Sequence, residues 1–390
     1  MNRLALTSFS VAAFGAAALS SIAEAQTSVT LYGTLDTSLT YINHAHGNAS
    51  QWSLGNSSDG NLSGSRWGLK GAEDLGGGLK AIFQLESGFS PTSGALGQGG
   101  RIFGRQAWVG LDAEQYGALT LGRQYDPVVD LVQGITADNY FGSAFATPGD
   151  VDNYDNSFRV NNAVKYATPQ WGGLRASAMY AFGGVAGATG AGQAYAAAVA
   201  WNSGPISVAG GYFYAANSEA GAGIRTDGWT STSDGTFDGP INSGYATARS
   251  LAIARAAAQY IAGPFTMGLG YSNSQYAPDG SSVFHDTQKY NTGQGFLNYQ
   301  LNRALLLGIG YSYTRANGDT SASYHQVSLG ADYSLSPRTD LYMTAAWQHA
   351  SGETGDGLGG SMPAQASIGS YGYAGTNSQT MLNLGLRHRF

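Results

Sequence analysis

Apolar and polar residues alternate along most of this chain. Val29, Leu31, Leu35, Leu39 and Tyr41 stand between Thr30, Tyr32, Thr34, Asp36, Ser38 and Thr40, a repeat of two that predicts a strand with one apolar face. The same alternation closes the sequence, with Leu382, Leu384, Leu386 and Phe390 on one face and Asn383, Gly385, Arg387 and Arg389 on the other. Amphipathic segments recur between these two, joined by alternately short and long connections. Residues 65–73 and 79–89 meet across Asp74-Leu75-Gly76-Gly77-Gly78, a glycine cluster that reads as a hairpin turn. Residues 103–112 pair in the same way with 118–125, 158–168 with 174–182, 193–201 with 206–214, 248–260 with 265–275, 289–299 with 304–315 and 323–335 with 340–349. Counting the first strand and 378–390, the pattern predicts sixteen strands. Seven tight turns fall at one end. Eight longer loops fall at the other, among them 43–62, a third loop running to Phe158, 215–247 and a glycine-rich 350–376.

The N-terminus and the composition narrow the fold class. Arg3, the apolar stretch Leu4 to Ser20 and the small residues of Ala23-Glu24-Ala25 form the pattern of a secretory signal peptide. Residues 1–25 are therefore expected to be removed, leaving one unit over 26–390. There is no cysteine, so an exported chain of this size needs a large core or a continuous hydrogen-bonded barrel instead of disulfides. No apolar run beyond the signal approaches the ~20 residues of a membrane helix. Only helices and closed barrels pair every backbone group in lipid. Charged residues make up 11%, against about 25% in ordinary soluble proteins, as expected for a barrel whose outer face is free of charge. A soluble sandwich would also contain amphipathic edge strands, and a secreted solenoid would share the 58 glycines, but a solenoid needs a short fixed repeat and none is found. The prediction is an all-β, sixteen-stranded antiparallel transmembrane barrel in a bacterial outer membrane, with its long loops outside the cell. Tyr166, Tyr180, Tyr212, Tyr260, Tyr271, Tyr299, Tyr311, Tyr333 and Tyr342 are expected near strand ends, where rings with one polar tip prefer the membrane interfaces.

Val29-Thr30-Leu31-Tyr32-Gly33, the block from Ser65-Arg66-Trp67-Gly68-Leu69-Lys70-Gly71 to Lys80, and Leu121-Gly122-Arg123-Gln124-Tyr125-Asp126 resemble the Gram-negative general porins, in the branch common among beta-proteobacteria. The resemblance spans the chain after the signal. It implies a homotrimer of sixteen-stranded barrels, each with loop three folded into the lumen, passing ions and small hydrophilic solutes by passive diffusion, without catalysis or cofactor. It also implies a basic wall at the narrowest point, carried over to Arg66, Arg105 and Arg159. Arg105 shares parity with Ala107, Val109 and Leu111, so periodicity alone leaves it free to point outward. Enteric members oppose this wall with a Pro-Glu-Phe-Gly-Gly turn, where this chain has Tyr140-Phe141-Gly142-Ser143. The acidic wall is therefore sought among Asp126, Asp130, Asp138, Asp150, Asp152 and Asp155, with Asp130 and Asp138 the candidates. Phe390 is the family's usual ending and is expected to be the signal read by the outer-membrane insertion machinery. Lipid and lipopolysaccharide are the expected surroundings, and no nucleic acid is involved.

A pore needs a bore, a wet lining and a field. Sixteen strands leave an aqueous channel, and charges at the narrowest point set ion preference. The chain carries a net −6, but fields in ~0.1 M salt decay over about 10 Å, so the arginines are expected to outweigh it and favour anions weakly. Other motifs carry less. Gly355-Asp356-Gly357-Leu358-Gly359-Gly360 fits G-x-G-x-x-G but precedes no helical pattern. His44 and His46 could share a strand face, but no third metal ligand is evident, and no G-x-S-x-G is present. The rival functions are a substrate-specific channel, which would line its lumen with aromatics, an outer-membrane barrel hydrolase, and an adhesin acting through its loops.

Overall fold

The computed structural model describes residues 28–57, 59–188, 190–217, 237, 239–369 and 372–390. The expected signal peptide lies outside them. A single antiparallel sheet closes on itself. Its strands are β1 (Ser28–His46), β2 in two segments (Ala49–Gly55 and Arg66–Gly76), β3 (Leu79–Gly88), β4 (Gln106–Ala113), β5 (Gly117–Gln124), β6 (Val160–Ala167), β7 (Leu174–Ala181), β8 (Ala194–Ser203), β9 (Ile206–Ala216), β10 (Ser250–Ala262), β11 (Phe265–Ala277), β12 (Gln288–Gln300), β13 (Leu305–Asn317), β14 (Ala322–Ser336), β15 (Thr339–Gly355) and β16 (Ser378–Arg389). Each strand pairs with its neighbour in sequence. Closure comes from β1 against β16, in a register from Thr34 opposite Arg389 to Ile42 opposite Met381. No edge is left for lipid to desolvate, and each unpaired backbone group there would cost several kcal/mol.

The strand count matches the periodicity, with corrections at the long-loop end. The expected first loop, 43–62, is a tight turn at Gly47–Asn48, because β2 begins at Ala49 and pairs with β1 back to Ser38 opposite Gly55. The strand then breaks over 56–65 and resumes where Arg66 faces Thr34. β15 runs on to Gly355, and a three-residue strand, Ser361–Pro363, adds to it, so the loop expected at 350–376 is shorter. Tyr342, expected in the interfacial girdle, is buried and points inward. Its hydroxyl donates to Asp36 Oδ1 (2.5 Å).

The two faces differ as a spanning barrel requires. Leu269, Ile309, Leu329, Met343 and Leu384 are exposed on the outer face, while Asn298, Gln326, Thr344 and Asn383 are buried on the inner one. The connection 125–159 carries two short α-helices. Asp126 caps helix α1 (Pro127–Val132), accepting from the Val128 and Val129 N–H groups at 2.7 and 3.2 Å, and Pro127 fits the first helical position. Helix α2 (Asp138–Phe141) ends on Phe141, whose ring lies on Gly308 of β13 and Gly330 of β14. A Cβ at either glycine would stand 2.1 or 2.3 Å from that ring, so only glycine admits it.

The inner face is not wet throughout. At the outer ends of β10 to β14, Leu251, Tyr276, Tyr290 and Tyr324 are fully buried against Ile241 and Tyr245 from the connection between β9 and β10, together with Val151 and Tyr154. Each fully buried aliphatic chain contributes roughly 1.5–3 kcal/mol. Two of the hydroxyls are met by backbone: Tyr290 donates to the Ile241 carbonyl (2.7 Å), and Tyr245 accepts from the Gly355 N–H (2.9 Å). This core fills one side of the lumen and leaves the side lined by β1 to β6 open.

Candidate functional site: a charged cavity in the barrel

Opposite the aromatic core lies a cavity of about 500 Å³ lined by Arg66, Arg105, Arg159, Asp130 and Asp138. All five residues singled out from the sequence therefore border one space. The arginines come from three places: the start of the second segment of β2, the residue before β4, and the residue before β6. Arg105 and Arg159 are 8% and 3% exposed, so neither points to lipid. Periodicity could not place Arg105 because it precedes its strand, where the alternation has not yet begun.

Two residues that sequence reasoning missed organise this wall. Tyr125, at the end of a quoted motif, offers one hydroxyl oxygen to Arg105 Nη2 (2.8 Å) and to Arg159 Nη2 (2.9 Å). Its ring also lies 4.9 Å from the Arg159 guanidinium, within cation–π range. Glu86 in β3 accepts from Arg105 Nε at 2.7 Å and stands 3.7 Å from Arg66 Nε. It is 4% exposed, and the Tyr32 hydroxyl donates to its other oxygen (2.9 Å). The signal for Glu86 was present: Gln84 and Glu86 alternate with Phe83 and Leu85 and so face the lumen. Two guanidinium groups sharing one carboxylate leave the wall with positive charge. Arg387 and Arg389 of β16 extend it, each within 3 Å of Asp340.

The loop-three acids are largely engaged. Asp130 takes a 2.5 Å ion pair from Lys165 of β6, whose Nζ also reaches the Tyr125 carbonyl. Asp138 accepts from Thr136 Oγ1 (2.5 Å) and Gln133 Nε2 (2.9 Å). Burial pushes its carboxyl up to about 6, with those hydrogen bonds working in the opposite direction. Asp152 accepts from Thr147 (2.5 Å) and from Ser272 of β11, and Asp126 is the α1 cap. Of the remaining acids of this loop, Asp155 borders the cavity.

A profile of the Gram-negative porin family matches residues 10–353. An outer membrane porin protein of Bordetella pertussis is 41% identical over 172 residues, an alignment that covers 41% of this chain and 44% of that protein. Outer membrane porin protein 32 of Delftia acidovorans is 30% identical over 390 residues, covering 98% of this chain and 99% of that one. In three dimensions the anion-selective porin of Comamonas acidovorans superposes with a TM-score of 0.70 at 25% identity, over 94% of this chain and all of that one. A closed sixteen-stranded barrel with a lipid-compatible exterior, a charged cavity within it and a full-length porin relative lead to one conclusion: this chain belongs to the Gram-negative porin family, and it is an outer-membrane channel for the passive diffusion of solutes, not an enzyme.

Proposed function

We propose that the cavity is the constriction of this channel and that it favours small anions. The observation that carries this reading is the arrangement of Arg66, Arg105 and Arg159 around Tyr125 and a single shared carboxylate, Glu86. The acids across from them, Asp130 and Asp138, are the proposed facing wall. Lys165 offsets the first, and Thr136 and Gln133 engage the oxygens of the second, so the three arginines dominate the local field although the chain carries −6 overall. Charges at the narrowest point act within a Debye length, and distant ones are screened. The similar Comamonas structure is described as anion-selective, which agrees with this reading.

Replacing both Arg66 and Arg159 with Gln is expected to shift the zero-current potential in a salt gradient toward cation preference. An unchanged potential would place the arginines away from the permeation path. A substrate-specific channel is the less favoured reading, because the lumenal tyrosines pack on one another instead of forming a track along the open side. The same proposal includes a homotrimer in lipid and lipopolysaccharide, supported by the apolar exterior, where Trp52 and Leu54 of β2 are 67% and 62% exposed.

A further inference from the structure

The break in β2 offers a second wall of the constriction. Where Gly55 ends the first segment, the chain leaves the sheet and turns inward, returning at Arg66. Side chains replace the lost ladder. Ser65 Oγ accepts from the Asp36 N–H and donates to the Asp36 carbonyl, both at 2.9 Å. The buried Asp36 carboxylate accepts from the Ser63 N–H (2.8 Å) and from Asn61 Nδ2 (3.1 Å). Asn61 Nδ2 also reaches the Tyr342 hydroxyl (2.9 Å), and Thr344 Oγ1 donates to the Gly60 carbonyl (3.1 Å). The segment is thus fastened to β1 on one side and β15 on the other.

Its inner edge meets loop three just beyond α2. The Ser143 N–H donates to the Asn61 carbonyl (3.2 Å). Ser143 Oγ accepts from the Gly60 N–H (2.8 Å) and donates to the Ser57 carbonyl (3.2 Å). A Cβ on Gly142, at φ +61°, would stand 1.9 Å from the Asn61 oxygen, which measures how closely the two backbones approach. The segment also holds part of the basic wall, since Arg66 Nη1 donates to the Gly64 carbonyl at 2.9 Å. Ser57, Asn61, Ser63 and Gly64 border the same cavity as the arginines.

We propose that this inward break in β2 is a second constriction element: it lines the permeation path beside loop three, clamps that loop through Ser143 and aims Arg66. The proposal rests on the cavity being the permeation path. The absence of cysteine allows a clean test with single cysteines in the full-length barrel, its fold checked by heat-modifiable mobility. Ser63→Cys and Gly64→Cys, treated with a small anionic thiol reagent, should each lose single-channel current in steps, as should the control Arg159→Cys. Block at Arg159→Cys without block at either position of the break overturns this proposal and leaves the constriction reading intact. Failure to block at all three overturns both. Separately, Ser143→Ala should raise open-channel noise and conductance above wild type by freeing loop three, and wild-type current in that folded variant overturns the clamp.

Discussion

Asp138 shows how a single residue can carry a pH response. Its carboxyl lies in loop three at the edge of the cavity, and burial raises it from 3.8 to about 6. A raised carboxyl favours the protonated form in the folded state. Its contribution to stability is therefore complete below about 4 and is lost as the pH rises through 6. Between pH 7 and pH 5 the channel accordingly loses a negative charge beside the arginines. Anion preference, read as reversal potential, is expected to grow over that interval, and Asp138→Asn should hold the acidic value throughout. Equal pH dependence in both proteins would assign the titration elsewhere. At this scale the sequence indicated that Asp138 borders the site but not that Thr136 and Gln133 occupy its oxygens. Partners within a loop follow from its folded path, and no periodic pattern records that path.

Among the elements, β16 and β2 were unequally legible. β16 alternates cleanly, and its pairing with β1 keeps the two apolar faces together, with Leu39 opposite Leu384 and Tyr41 opposite Leu382. Phe390 continues the pairing, because its N–H and carbonyl exchange 3.1 Å hydrogen bonds with Gly33, and a Cβ at Gly33 would stand 2.4 Å from the Phe390 ring. If Phe390 is the assembly signal, Gly33→Val should displace that ring and lower folded trimer in the outer membrane, as deletion of Phe390 should. Wild-type levels of heat-modifiable trimer in both variants would separate Phe390 from assembly. β2 was misread because residues 56–65 are rich in Asn, Ser and Gly. An outer loop and a segment facing a wet lumen meet the same solvent and draw on the same residues, so composition cannot tell them apart. The hydrogen bonds that Asn61 and Gly60 donate to Tyr342 and Ser143 show on which side of the wall the chain turns.

For the molecule as a whole, the strand number and the inward and outward faces followed from alternation, and the three arginines that border the cavity came from the family resemblance. The aromatic packing on the inner face did not, since Tyr276, Tyr290 and Tyr324 suit the outside of a barrel just as well as the inside of one that is partly filled. That filling places two kinds of apolar surface in one protein, each sheltered by a different solvent. The outer one is held by lipid, and the sheet's hydrogen bonds lie behind it. The core of Ile241, Tyr245, Tyr276, Tyr290 and Tyr324 is held by water, and water carries urea to it. Chaotropes weaken burial from water but do not enter the hydrocarbon that shields the sheet. At intermediate urea the core should therefore loosen while the barrel persists: single-channel conductance should rise reversibly and tyrosine fluorescence change, with the amide infrared band of the strands unaltered. Loss of conductance and strand signal in one transition would show that the core and the wall unfold as one body. With two transitions, the protein behaves as a soluble domain carried inside a membrane barrel, and its resistance to denaturant would have to be quoted separately for each.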